Sequence, residues 1–227
     1  ILYQKSLYKQ NLKILDKAKS FALKYDENTS AYEIVEFEKL IESLYVTRSL
    51  SNRTNELVSQ TIYLKEQNDI NSGLSNISLQ LYEKLIKAGY AKSDIESNEI
   101  KKFFRQKIQT FQVDKLGFRE KLIYYQIWVW YSLLIQDFLS SYKYASKWID
   151  TFNKNPEMIK IHPVFYLKGY NFLLEALALI KYPSKFKNHL NDLIKEVESS
   201  SFPTNQNLSA LIFIYKYNNL FNLYVLE

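Results

Sequence analysis

Apolar residues recur along this chain at intervals of three and four almost without interruption. No stretch keeps an apolar–polar alternation of period two. Such spacing gathers apolar side chains on one face of a helix. It predicts helices at about residues 1–25, 30–48, 52–68, 73–90, 94–112, 117–136, 138–154, 162–181, 184–199 and 205–226. Ser30 with Glu33, and Ser93 with Glu96, have the spacing of capping boxes. Thr204 is placed to cap the last helix after Pro203, and Gly89, Gly117 and the four prolines fall at or near the breaks. The connections are short, so helices adjacent in sequence are expected to run antiparallel.

The helices also recur as a set. Aligned on positions i, i+3, i+7 and i+10, they give Tyr8, Asn11, Leu15, Ala18; Thr54, Leu57, Thr61, Leu64; and Lys101, Phe104, Ile108, Phe111. Two further sets are Tyr142, Ala145, Ile149, Phe152 and Phe186, His189, Leu193, Glu196. Their starts lie 46, 47, 41 and 44 residues apart. A near-constant period is the mark of stacked helix pairs, each too small to bury its apolar face alone.

Two segments carry a resemblance. Tyr142-Lys-Tyr-Ala145-Ser-Lys-Trp-Ile149-Asp-Thr-Phe152, closed by Pro156, resembles the second helix of a tetratricopeptide repeat, and so does Tyr8-Lys-Gln-Asn11-Leu-Lys-Ile-Leu15-Asp-Lys-Ala18. Phe165, Gly169 and Phe172 are similar to the face of a first helix, where a glycine lets two helices approach closely. The chain departs from that family in its period, about 44 residues against 34, and in Asn11 and His189 where a small residue is expected. The resemblance implies a right-handed α-α superhelix of about ten antiparallel helices, one domain over residues 1–227 and part of a longer array. On this reading the segment 1–25 is a second helix, 205–226 is a first helix, and 117–136, the most apolar, lies in the interior.

Composition narrows the function. Cysteine is absent, which excludes disulfides, thiolate metal sites and cysteine nucleophiles. Four glycines and two histidines leave no phosphate-cradling loop, dinucleotide fingerprint or paired-histidine zinc motif. His162, beside Pro163, is expected to cap a helix or lie at the surface, and His189 to pack against a partner helix. The net charge of +6 is modest for a dedicated nucleic-acid binder. Tyrosine, isoleucine, lysine and asparagine are plentiful in the manner of AT-rich coding, so the 19 tyrosines do not by themselves describe a binding surface. No apolar run reaches membrane-spanning length. The chain opens on Ile1, as a fragment or processed form would.

Three polar stripes stand out on the expected first helices: Arg119, Gln126 and Trp130; Lys168, Asn171 and Glu175; and Tyr215, Asn218 and Asn222. Glu175 is conspicuous within an otherwise apolar run. The tetratricopeptide resemblance implies that first helices line a concave groove, where Asn and Lys hold a peptide's backbone or terminal carboxylate. The plainer reading of the same stripes is a polar face turned to water. Carboxylates such as Glu36 and Glu38 beside Lys39 read as solvated helical pairs. Lys101, Lys102, Arg105, Lys107, Lys115, Arg119 and Lys121, with Phe103, Phe104 and Phe111, form a basic, aromatic-flanked stripe over residues 101–121. It reads as the wet face and core face of one amphipathic helix, or as a track for a phosphate backbone.

The expectation is a non-catalytic, cytoplasmic, bacterial scaffold that binds a protein or peptide partner without a cofactor or metal. The alternative is a regulatory or nucleic-acid-associated helical domain using the basic stripe.

Overall fold

The computed structural model describes residues 3, 5, 7–44 and 51–226. Parts of the first two expected helices, at residues 1, 2, 4, 6 and 45–48, lie outside them. The chain is 84% helix with no strand among the described residues, which is the all-α class that the periodicity predicts. The helices are α1 (Tyr8–Lys24), α2 (Asn28–Leu44), α3 (Ser51–Ala88), α4 (Asp94–Ile108), α5 (Phe118–Leu134), α6 (Phe138–Asn153), α7 (Glu157–Ile161), α8 (Pro163–Leu179), α9 (Pro183–Val197) and α10 (Gln206–Leu226). One 3-10 turn, Val113–Lys115, precedes α5.

Three of the connections are the same object. After α1, α5 and α8, a residue in the left-handed region, Asp26, Gln136 or Lys181, takes φ of 56°, 60° and 54°. At each, two amides fold back onto the helix. Glu27, Asp137 and Tyr182 donate to the carbonyls of Ala22, Ser132 and Leu177 at 2.9, 2.8 and 3.1 Å, while Asp26, Gln136 and Lys181 donate to Leu23, Leu133 and Ala178. This is a Schellman closure, which satisfies the orphan carbonyls of a helix end and reverses the chain at once. The next helix begins one residue later, so α1–α2, α5–α6 and α8–α9 are tight antiparallel hairpins. The alignment takes Tyr8, Asn11, Leu15 and Ala18 as the packing positions of α1. Its buried face is instead Asn11, Leu12, Lys19 and Ala22; Leu15 is half-buried and Ala18 is exposed.

The caps differ from expectation in detail. Ser93 accepts from the Glu96 amide at 3.2 Å, but the Glu96 carboxylate turns to the amide of Lys92. Ser30 lies inside the first turn of α2, not in front of it. Asn205, one residue past Thr204, caps α10 by accepting from Leu208 at 2.9 Å.

The largest departure is α3. The periodicity predicts a break at residues 69–72, between helices 52–68 and 73–90, yet one 38-residue helix runs through it. Positions 57, 60, 64, 67, 71, 74, 78 and 81 alternate by four and three, and Leu57, Leu64, Leu74 and Leu81 among them are buried. Burying a leucine is favourable by about 1.5–3 kcal/mol, against about 1 kcal/mol for a helical glycine. Packing therefore outweighs the local preference.

The contacts divide the chain into two compact units, residues 1–73 and 74–227. In the first, Ala22, Ala31, Val35, Leu57 and Leu64 form the core. Beside it lies an ion cluster. Lys19 on α1 donates to Glu38 on α2, and both are buried. Arg53 on α3 reaches the same Glu38 oxygen at 3.3 Å, Asp16 at 3.3 Å and Glu56 at 3.1 Å. Burial raises the Glu38 pKa above the ordinary carboxylate value, Lys19 pulls it back down, and a hydrogen bond with Asp16 adds to the rise. The sequence reading had Glu38 as one of a solvated set with Lys39. Instead Glu38 faces inward to Lys19, and only Glu36 pairs with Lys39, at 2.7 Å.

In the second unit α5 packs on α4, α6 and α8; α6 packs on α8; α8 packs on α7, α9 and α10; and α9 packs on α10. Eleven residues of α5 are buried, as its interior placement requires. Helices α5, α8 and α10 form a row in which α8 touches both of the others. Phe104 of α4 stacks on Tyr131 of α5 at 3.8 Å between centroids, and Trp128 stacks on Tyr144 of α6 at 4.4 Å. Gly169 brings α8 onto α6: a Cβ there would meet Trp148 and Ile149 at 3.0 Å, and Trp148 is fully buried. This is the close approach expected of Phe165-Gly169-Phe172.

Candidate partner-binding face

The three polar stripes meet different fates. On α5, Gln126 and Trp130 are buried, and the Trp130 ring lies 5.0 Å from Tyr82 of α3 and 6.3 Å from Phe172 of α8. Both are packing residues. Arg119 is half-buried in the first turn of α5, three helical turns from Trp130. The α5 stripe therefore does not present a continuous polar edge.

The α8 and α10 stripes do come together. Asn219, which is 2% exposed, donates from one amide nitrogen to the Asn171 side-chain oxygen at 3.2 Å and to the Tyr215 carbonyl at 2.8 Å. The spacing from Tyr215 selects Asn218 and Asn222 and omits Asn219. Asn218 is exposed, whereas Asn219 faces α8 four residues after Tyr215, the helical spacing that could have singled it out. Asn222 is half-buried and lines a shallow cleft of about 600 Å³ with Ala178, Lys181 and Pro183. Lys168 is half-buried one turn before Asn171.

Glu175, one turn beyond Asn171, is the most unusual group on this face. Burial raises its pKa above the ordinary carboxylate value, with no compensating influence. No hydrogen bond or ion pair reaches it among the described residues. Its charge is felt by Tyr90, in the link after α3, and by Tyr215 on α10; burial first and then Glu175 raise the pKa of both hydroxyls. Glu175 is thus a half-buried carboxylate with no ion pair among the described residues, whose charge raises the pKa of both phenols.

The Tyr90 link is fixed in place. Gly89, at φ 68°, ends α3; the Ala91 amide donates to the Leu134 carbonyl at 2.8 Å, and the Gln136 side chain donates to the Ala91 carbonyl at 2.9 Å.

The basic stripe separates into two faces. Lys102, Arg105 and Lys107 are exposed, Phe104 is buried, and Phe103 lies beneath Lys84, whose Nζ is 5.4 Å from the ring centroid. Phe111, the third aromatic of the stripe, is half-buried. The half-buried His162 stacks on Phe118 at 5.8 Å in place of capping α8 through its side chain, and His189 is half-buried near Tyr170. No group of three or more metal-ligating side chains is gathered among the described residues, and no described helix is long and apolar enough to cross a membrane.

Fold and face define the chain as an all-helical protein of hairpin-paired helices. Comparison with family models, curated proteins and solved structures finds no match to it.

Proposed function

We propose that the protein is a non-catalytic, cytoplasmic scaffold of the tetratricopeptide-like kind, which holds a peptide or protein partner against the first helices of its pairs. In this reading α5, α8 and α10 line the concave side of a right-handed superhelix. The observation that carries it is Glu175: a half-buried carboxylate with no ion pair among the described residues, whose charge bears on Tyr90 and Tyr215, one turn from the Asn171–Asn219 bond. Leaving such a group unpaired costs free energy that a ligand cation recovers. The partner segment accordingly carries a basic side chain or a free amine, with flanking backbone for Lys168 and Asn218.

Peptides selected from a random library on the immobilised protein test this. Fluorescence anisotropy should give binding that Glu175→Gln weakens about tenfold or more and that Arg105→Glu leaves unchanged. Peptides indifferent to Glu175, or displaced by random oligonucleotides at low salt, would turn the assignment toward the basic stripe on α4.

A further inference from the structure

The link that carries Tyr90 from α3 to α4 is fixed at two points. Gly89, at φ 68°, closes α3 by donating to the Leu85 carbonyl at 3.0 Å. Two residues on, both backbone groups of Ala91 are engaged by the end of α5. Its amide donates to the Leu134 carbonyl at 2.8 Å, and its carbonyl accepts from the Gln136 side-chain amide at 2.9 Å. Tyr90 stands between these points, its ring 6.2 Å from that of Phe138. Packing alone does not hold the link, because a cleft of about 310 Å³ opens along Gly89, Tyr90 and Ala91, bounded also by Ile100 and Leu134.

Gln136 is an unexpected occupant of its position. It is the left-handed residue of the Schellman turn after α5, at φ 60°, where a β-carbon is strained and glycine or asparagine is favoured. Its side chain is exposed and adds nothing to the core. What the glutamine adds to the turn is its bond to Ala91. We infer that Gln136 is a positioning residue of the partner site: its side chain latches the link so that the Tyr90 phenol is presented beside Glu175, as a face on which the partner's cation rests. The inference rests on the reading of Glu175 as that cation's anchor. Tyr90 is close enough to Glu175 for the carboxylate's charge to raise the pKa of its hydroxyl, second to burial. An unlatched link holds Tyr90 in place for only a fraction of the time, and the apparent affinity falls by that fraction.

Fluorescence anisotropy with a lysine-bearing peptide selected on the wild type tests this, alongside thermal melts. Gln136→Gly relieves the left-handed strain, so it should melt close to the wild type while binding about fivefold more weakly, the worth of one ordinary hydrogen bond. Gln136→Asn suits the same backbone but is a methylene too short to keep the bond, and should behave alike. Tyr90→Leu should weaken binding about fivefold in the wild type, and by less than about twofold once Gln136 is glycine, because the ring is then no longer presented. Additive effects of the two substitutions overturn the inference and leave the Glu175 reading standing. So does a Gln136→Gly variant that binds like the wild type while Glu175→Gln weakens binding. A peptide indifferent to Glu175→Gln overturns both.

Discussion

The Lys19 ammonium on α1 donates to the Glu38 carboxylate on α2 with both side chains closed off from solvent, 7% and 0% exposed. Two charges are thus held inside the first unit, and Arg53 ties the third helix to the same oxygen. Removing one partner of such a pair is costly because the other stays buried and charged. Lys19→Met should lower the stability of the first unit by about 2–4 kcal/mol in urea denaturation, towards the low end of the range for a broken buried pair because Arg53 remains. Lys19→Met with Glu38→Leu should recover most of that loss. A double variant as unstable as the single one would show that the cluster stabilises beyond cancelling its own charges.

Continuity of α3 has a simple signature. Gly73 lies inside it, away from either end. Gly73→Ala should stabilise the protein by up to about 1 kcal/mol, the ordinary helix-interior difference. Were residues 69–72 the break that the periodicity predicts, the substitution would be neutral or destabilising.

Gly169 should respond in the opposite sense. A methyl group there meets the fully buried Trp148 at 3.0 Å, so α8 must move off α6. Overpacking of about 1–3 kcal/mol outweighs the helix-propensity gain of about 1 kcal/mol. Gly169→Ala should lower the melting temperature and Gly169→Leu should lower it further; an unchanged Gly169→Leu would contradict the close approach.

The raised Glu175 pKa has a definite consequence for stability against pH. The folded state holds this proton more tightly than the unfolded state, whose carboxyl titrates near 4.5. The stabilisation is therefore fully present below that value and is lost as pH rises through the raised folded value. Glu175→Gln should stabilise the protein at pH 7, and its advantage should shrink as pH falls toward 4.5 in thermal melts. An advantage independent of pH would mean that the carboxylate is solvated.

The all-helical class, most helix boundaries and the interior place of 117–136 were legible in the sequence, because apolar periodicity is imposed by burial itself. Gly169 was legible too, from its aromatic neighbours. Less visible was anything decided by which helix faces which. Glu38 and Lys19 stand 19 residues apart on different helices, so sequence spacing pointed to Lys39 instead. Asn219 looks like any surface asparagine until α8 supplies Asn171. The break expected at 69–72 is absent because leucines on either side of it are buried within one continuous helix, against weak local signals. Trp130 and Gln126 matched a polar stripe on α5 but belong to packing with neighbouring helices.

Glu175 is the proposed anchor for a partner's positive charge. A double-mutant cycle by isothermal titration addresses it directly: a selected peptide and its lysine-to-norleucine counterpart, each measured against wild type and Glu175→Gln. The prediction is a coupling of about 1.5–3 kcal/mol, the range of a charge-assisted hydrogen bond, with the lysine peptide losing its advantage on the Gln variant. Additive effects, with coupling within about 0.3–0.5 kcal/mol of zero, would contradict it.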